Sequence, residues 1–310
     1  MRLGLTTLLL ALMLLAGCAA PGRGAAPAAP GAPGATAASA APVRLVASTT
    51  LLADLAAHVA GARAQVSSLA PAGADVEDYQ TRPDDAQRVA AADVLVVNGL
   101  GLDRWAERLI QSAARPSAVR VTLSDGLDVI RGAGAGDTAN PHLWLDVRLA
   151  KRYTETLRDA LIRADPAGAD TYRANQAAYS RQLDDLDAWV RAQVATLPPE
   201  RRKLVTFHDA FPYFARAYGF EVIGFVAPDP AHEPSARELA DLVARVKATK
   251  APAVFGEAQF SPKLVEALGR ETGVKVVTDL YNDSLGPPPA DSYAGLMRYD
   301  VGRIVEALKA

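Results

Sequence analysis

From Val43 onward, apolar residues recur in two alternating rhythms. Short β-branched and aliphatic runs at Val43–Ser48, Ala64–Leu69, Val94–Asn98 and Val119–Leu123 predict strands. Between them, helical periodicity predicts Leu51–Ala60, Pro83–Ala91 and Arg104–Ser112, the second opening on a proline whose missing N–H costs nothing in a first turn. Strand patterns stop between Arg148 and Thr196. That region is charged and Ala-rich, broken only at Asp165-Pro166, and its second half, about Ala167–Thr196, predicts a helix of roughly 45 Å at 1.5 Å per residue. Alternation then resumes, with strands at Lys203–Phe207, Glu221–Phe225, Ala253–Gly256 and Val274–Asp279 and helices at Phe211–Tyr218, Ala236–Thr249, Ser261–Thr272 and Ser292–Leu308. This order predicts an α/β protein of two lobes, each with a mainly parallel sheet flanked by helices.

The first 42 residues follow neither rhythm. Met1–Leu15 is almost wholly apolar after Arg2 and runs into Leu15-Ala16-Gly17-Cys18. It is short for a membrane span of about 20 residues and has the basic start, apolar middle and small-residue exit of a secretory signal. Its exit resembles the bacterial lipobox, which implies removal of residues 1–17, acylation of Cys18, and an extracytoplasmic protein anchored to the cell membrane by lipid alone. Cys18 is the only cysteine, so no intrachain disulfide exists. Residues 18–42 are dominated by Ala, Pro and Gly, a composition unable to build a core, and predict a tether. In extended form it would reach up to about 75 Å. The remaining boundaries are a first lobe over 43–165, a linking helix over 166–197 and a second lobe over 198–310.

Length and charge narrow the partners. The chain of 310 residues accommodates two lobes of ordinary size, and a net charge of −2 excludes the strongly basic surface expected of a nucleic-acid binder. No nucleotide loop, His-Glu-x-x-His segment or Gly-x-Ser-x-Gly elbow occurs, so no enzyme chemistry is signalled.

Ligands of open parallel sheets bind beyond the carboxyl ends of the strands. Four residues with oxygen or nitrogen donors lie in or near such positions: Glu77, His142, His208 and Asp283. Two imidazoles and two carboxylates suit one divalent first-row ion, the carboxylates cancelling its charge. Ordinary alternatives exist for three of them: a core histidine for His208, a turn residue for Asp283, a solvated loop acid for Glu77. His58 reads as a surface or packing histidine and His232 as a loop residue. Asp209, Asp146 and Glu257 are candidates to orient the histidines, because ligating imidazoles commonly give their other N–H to an acceptor.

Larger stretches carry a resemblance. Asn98-Gly99-Leu100-Gly101-Leu102 with Trp105, Asn140-Pro141-His142-Leu143-Trp144-Leu145-Asp146, Thr206-Phe207-His208-Asp209-Ala210-Phe211 with Tyr213-Phe214, Glu233-Pro234-Ser235, Glu257 with Gln259-Phe260-Ser261, and Tyr281-Asn282-Asp283-Ser284-Leu285 together resemble the metal-binding lipoproteins of bacterial ABC importers. The resemblance covers about Val43 to Ala310. It implies two lobes joined by one long rigid helix, with one zinc, manganese or ferrous ion between them, carried as cargo to an ABC permease whose ATPase is a separate chain. It also implies a monomer. Where relatives place histidine in Gly-x-Asp-Pro-His, this chain reads Gly73-Ala74-Asp75-Val76-Glu77, which puts Glu77, or less directly Asp78, at the histidine position; the alternative is a site of three protein ligands plus water. The two carboxylates and the absence of a His-rich stretch in Arg131–Asn140 favour manganese or iron slightly over zinc. Readings from other classes are a metal-dependent hydrolase with an open coordination position and a surface adhesin.

Overall fold

A computed structural model describes residues 41–131 and 139–309. Cys18 and residues 18–40 of the expected tether lie outside them. The first lobe is built from β1 (Val43–Ala47), α1 (Thr50–Ala60), β2 (Ala64–Ser68), α2 (Pro83–Ala91), β3 (Val94–Val97), α3 (Arg104–Ala113) and β4 (Val119–Thr122). Helices α4 (Val147–Ala164) and α5 (Ala169–Ala195) follow, separated at Asp165-Pro166, where proline ends the first helix. The second lobe comprises β5 (Lys203–Thr206), α6 (Pro212–Tyr218), β6 (Glu221–Phe225), α7 (Ala236–Thr249), β7 (Ala253–Glu257), α8 (Lys263–Thr272), β8 (Lys275–Leu280) and α9 (Tyr293–Lys309).

Both sheets are parallel and share one topology, β2-β1-β3-β4 in the first lobe and β6-β5-β7-β8 in the second. The chain therefore reverses its winding direction between β1 and β3, and again between β5 and β7. Crevices at such switch points are where α/β sheets hold ligands. Of the inner strands, β3 and β7 are buried along their full length, which explains the unbroken apolar run of β3 and that of β7 up to its last residue, the buried Glu257.

Helix α5 runs 27 residues, about 40 Å at 1.5 Å per residue, and packs against α1, α4 and α9. Because α9 also touches β8 and α1, one continuous apolar cluster extends from Leu45 and Leu95 through Tyr153 and Leu186 to Phe255 and Ile304. The two lobes thus share most of their core. A separate cluster, including Val205, Phe207, Leu242, Val246 and Leu268, lies in the second lobe with contributions from α7 and α8.

After β3 the chain turns sharply through Gly99, Leu100 and Gly101, all with positive φ (85°, 57° and 91°). A Cβ on Gly99 would lie 2.4 Å from the Thr122 side chain, so this position requires glycine. The turn lets the buried Asp103 accept hydrogen bonds from the Ser48 hydroxyl (2.6 Å) and from the backbone N–H groups of Asn98 (2.6 Å) and Gly99 (3.0 Å). That bracket fixes the carboxyl ends of β1 and β3 beside each other. Among the described residues, no helix is long and apolar enough to cross a membrane.

Candidate metal centre

Each candidate donor is delivered by its own local device. Glu77 sits on a turn in which the Asp75 carboxylate accepts from the N–H groups of Glu77 (2.9 Å) and Asp78 (3.3 Å). Val76 is buried beside it and its carbonyl takes the Trp105 indole N–H at 2.8 Å. With its flank anchored, Glu77 projects inward, whereas Asp78 is exposed and its carboxylate accepts from the Gln80 amide.

His142 follows no strand. It is set by Asn140, whose N–H bonds to the Ile130 carbonyl (2.8 Å), whose carbonyl accepts from the Tyr213 hydroxyl (2.8 Å), and whose Oδ1 faces His142 Nδ1 at 3.1 Å. The Asn140 amide in turn donates to the backbone carbonyl of Asp209. His208 lies two residues beyond β5, and its Nδ1 meets Glu257 Oε2 at 3.1 Å. Asp283 lies three residues beyond β8 on a loop tied at three points. The Tyr281 N–H bonds to the Asp300 carboxylate (3.0 Å), the Asn282 carbonyl takes the Trp144 indole N–H (2.7 Å), and the Ser284 hydroxyl accepts from the Gly73 N–H (2.8 Å). Gln259 Nε2 also donates to Asp283 Oδ2 at 3.3 Å.

These devices bring all four residues together, with one donor atom from each lying within 4.8 Å of the others. His142 Nε2 is 3.2 Å from His208 Nε2, 3.2 Å from Asp283 Oδ1 and 3.6 Å from Glu77 Oε1. His208 Nε2 is 3.5 Å from Asp283 Oδ2 and 3.9 Å from Glu77 Oε1. Donors about 2.0–2.2 Å from one tetrahedral ion stand roughly 3.3–3.6 Å apart, so the cage has the dimensions of a metal site. His142, His208 and Asp283 are buried; the Glu77 side chain, 23% exposed, marks the side facing solvent.

The electrostatics suit a cation. Burial opposes charge on His208, but Glu257 and Asp283 beside it push its pKa up to about 10. Burial likewise opposes charge on His142, which Asp283 and Glu77 overcome, raising its pKa. Asp283, despite burial, is held below the ordinary carboxylate range by the two histidines. Asp283 Oδ1 is buried and accepts no hydrogen bond among the described residues. Because Nδ1 of each histidine faces an oxygen acceptor, both present Nε2 to the centre, the arrangement expected of metal-binding imidazoles. A positive charge is wanted there, and an arriving ion must displace a proton.

Of the residues expected to orient the histidines, Glu257 contacts His208 directly. Asp209 acts on His142 through its backbone carbonyl and Asn140. Asp146 is engaged elsewhere: it caps α4 by accepting from the Arg148 N–H (3.0 Å) and pairs with the Arg148 guanidinium. The amide of Asn140, two residues before His142, occupies the place for which an acid was expected. His58 stacks on Tyr179 at 4.0 Å, and His232 faces Glu238 at 3.5 Å, both apart from the cage. In the sequence, Asn140 and Asn282 stand out only as members of the stretches that carry the resemblance, and Asp300 not at all. An amide next to a candidate ligand in Asn-Pro-His was the available signal for Asn140; nothing local pointed to Asp300.

Comparison with known proteins agrees with this geometry. A family model described as the periplasmic zinc-uptake complex component A, ZnuA, matches residues 45–307. The manganese-binding lipoprotein MntA of Halalkalibacterium halodurans is 32% identical over 298 residues, covering 96% of this chain and 95% of that protein. The iron-binding protein YfeA of Yersinia pestis is 34% identical over 268 residues, 85% of each chain. Among solved structures, the periplasmic zinc-binding protein TroA from Treponema pallidum superposes with a TM-score of 0.79 at 32% identity, covering 86% of this chain and 99% of that one.

Proposed function

The chain belongs to the ZnuA family of metal-binding components of ABC importers, and on that premise we propose that Glu77, His142, His208 and Asp283 together hold one divalent transition-metal ion as transported cargo. A binding component of this kind is not an enzyme. The observation that carries the proposal is the convergence of four donors from opposite lobes into a buried cage of metal-site dimensions. The ion is manganese or ferrous iron in preference to zinc, because two carboxylates and two imidazoles form a harder set than a histidine-rich one. The relatives' names point in the same direction only in part, since manganese, iron and zinc all occur among them.

In the cell, the loaded protein delivers its ion to the membrane subunit of an ABC permease, driven by an ATPase on a separate chain. It acts as a monomer outside the cytoplasmic membrane, held there by lipid on Cys18. Thermal melting with and without Mn2+, Fe2+ and Zn2+ tests the central claim. At about 1,000 times Kd the linkage is ~4 kcal/mol, or roughly 8–16 °C for a body of this size. A melting temperature unmoved by all three ions refutes the proposal.

A further inference from the structure

Among the buried side chains at the cage that are not among the four donors, Asn282 has its amide against a donor histidine and its oxygen without a partner among the described residues. It is fully buried. Its backbone carbonyl is fixed by the Trp144 indole at 2.7 Å, so the residue cannot drift from the site. Its Nδ2 stands 3.4 Å from His208 Nε2, and its Oδ1 is buried with no partner among the described residues. Buried carboxamide oxygens nearly always find a donor or a cation.

The amide faces the cage with the end less suited to it. Because Nδ1 of His208 is taken by Glu257, Nε2 is the atom that carries whatever occupies the centre. A bound ion is positive, and so is a proton on Nε2; an amide N–H pointing at either is repelled. A half-turn about the Cβ–Cγ bond exchanges the two ends of the carboxamide, which have nearly the same shape. Oδ1 then takes the place of Nδ2, 3.4 Å from His208 Nε2. That separation falls inside the 3.2–3.9 Å range of the cage's own donor pairs.

We propose that Asn282 Oδ1 is a fifth donor to the cargo ion and sets its selectivity. The inference rests on the four-ligand reading above and adds a specificity-determining residue to it. A neutral carbonyl-type oxygen adds coordination without adding charge. Zinc is satisfied by four tetrahedral donors and gains little from a fifth, whereas manganese and ferrous iron accept larger, oxygen-rich shells. Asn282 therefore favours manganese and iron through coordination number rather than through ligand charge.

The test replaces Asn282 by Leu, which has nearly the same shape and no oxygen, and by Asp, which keeps one. Calorimetric titration with Mn2+ and Zn2+ alone should show Asn282→Leu losing roughly 10–100-fold in manganese affinity, the scale reached when a partner of a metal site is removed, with zinc affinity nearly unchanged. Asn282→Asp should retain manganese binding. The Co2+-loaded protein gives a second readout: the visible band should be weak in the parent, as for five or more donors, and intense in Asn282→Leu, as for four. Where leucine disturbs packing, Asn282→Ala carries the same comparison by deletion. A parent-like ratio of manganese to zinc affinity in the variants, or an intense four-coordinate cobalt band in the parent itself, overturns the proposal. A parent protein that binds none of these ions overturns the four-ligand reading instead.

Discussion

Replacing Glu257 by Gln tests how the cage is tuned from outside its donors. The side chain is buried, with Oε2 3.1 Å from His208 Nδ1 and Oε1 without a hydrogen-bond partner among the described residues. The substitution keeps shape and removes one negative charge, with two consequences of opposite sign. A cation in the cage loses an attractive charge, which weakens binding. The proton on His208, whose pKa is pushed up to about 10 with Glu257 as the largest favourable cause, is also held less tightly, which strengthens apparent binding at neutral pH. The first effect is the larger, because a dication gains about twice what a proton gains from the same nearby charge. Glutamine can also turn its NH2 toward Nδ1 and force a proton onto Nε2, where the ion must bind.

The net expectation at pH 7 is a loss of roughly 10–100-fold in Mn2+ affinity, about 1.4–2.7 kcal/mol. At an ion concentration that gives the parent ~4 kcal/mol of linkage, the metal-induced rise in melting temperature should shrink to between about one-third and two-thirds of the parent's. The pH dependence separates the two effects. In the parent, His208, with its pKa pushed up to about 10, gives up a proton to an arriving ion over pH 6–8, so affinity should rise with pH by at least about one log unit per unit, and more steeply where His142, whose pKa is also raised, releases one as well. In Glu257→Gln the histidine pKa falls and that slope should flatten. Calorimetry at three pH values measures both. An Mn2+ affinity equal to or tighter than the parent's at pH 7 would refute the reasoning.

Four other outcomes are expected. Glu77→His should raise the ratio of zinc to manganese affinity in calorimetric titration by exchanging a carboxylate for a third imidazole, while substitution of the exposed Asp78 should leave it unchanged. Ser284→Ala removes the acceptor for the Gly73 N–H and the contact with Thr50 Oγ1 at 3.3 Å, so at about 1 kcal/mol per bond it should speed metal release into a chelator roughly 5–30-fold in stopped-flow traces. Asp300→Asn should stabilise the metal-free protein against urea at pH 8 by about 1–3 kcal/mol. Burial, with Glu257 and Asp279 nearby, raises the Asp300 pKa well above normal, so its favourable contribution is present below the unfolded value near 4 and is lost as pH rises through the folded value; the gap between variant and parent should therefore close at pH 4. Cys18→Ser should move the protein from the membrane fraction to the soluble one, and full retention with membranes would end the lipid-anchor reading.

How much of the site could be read in advance follows from what sequence patterns encode. His208 and Asp283 were legible because they stand just past strands whose β-branched runs are unmistakable, and parallel strands deliver such residues to one edge. Glu77 lies farther from its strand, and its direction depends on the Asp75 turn and on the Trp105 indole holding Val76, neither of which periodicity reveals. His142 has no strand at all. Its orientation comes from Asn140, pinned by Tyr213 from the other lobe, and contacts so remote in sequence leave no local trace. Asp146 illustrates the same limit, since an acid four residues after a histidine is as good a helix cap as a partner, and the following helix claimed it. Helix α9 was visible, but not that it buries Asp300 against the Asp283 loop while packing on α5 and α1.

The shared core bears on how the ion leaves. Since the apolar cluster runs continuously through α5 and α9 from one sheet to the other, separating the lobes wholesale would expose far more apolar surface than any single ion could compensate. The contacts that close the cage are of another kind. Gly73 to Ser284 and Leu285 to Thr50 are part-buried hydrogen bonds between the Glu77 side and the Asp283 loop, each worth about 1 kcal/mol net and replaceable by water. Release is therefore expected to proceed by local opening of the Glu77 turn and the Asp283 loop, with the helices between the lobes left intact. On the proposed four-ligand reading, Glu77, whose side chain is 23% exposed, is then the first ligand to let go, and the chemistry at that position bears on how readily the ion is given up.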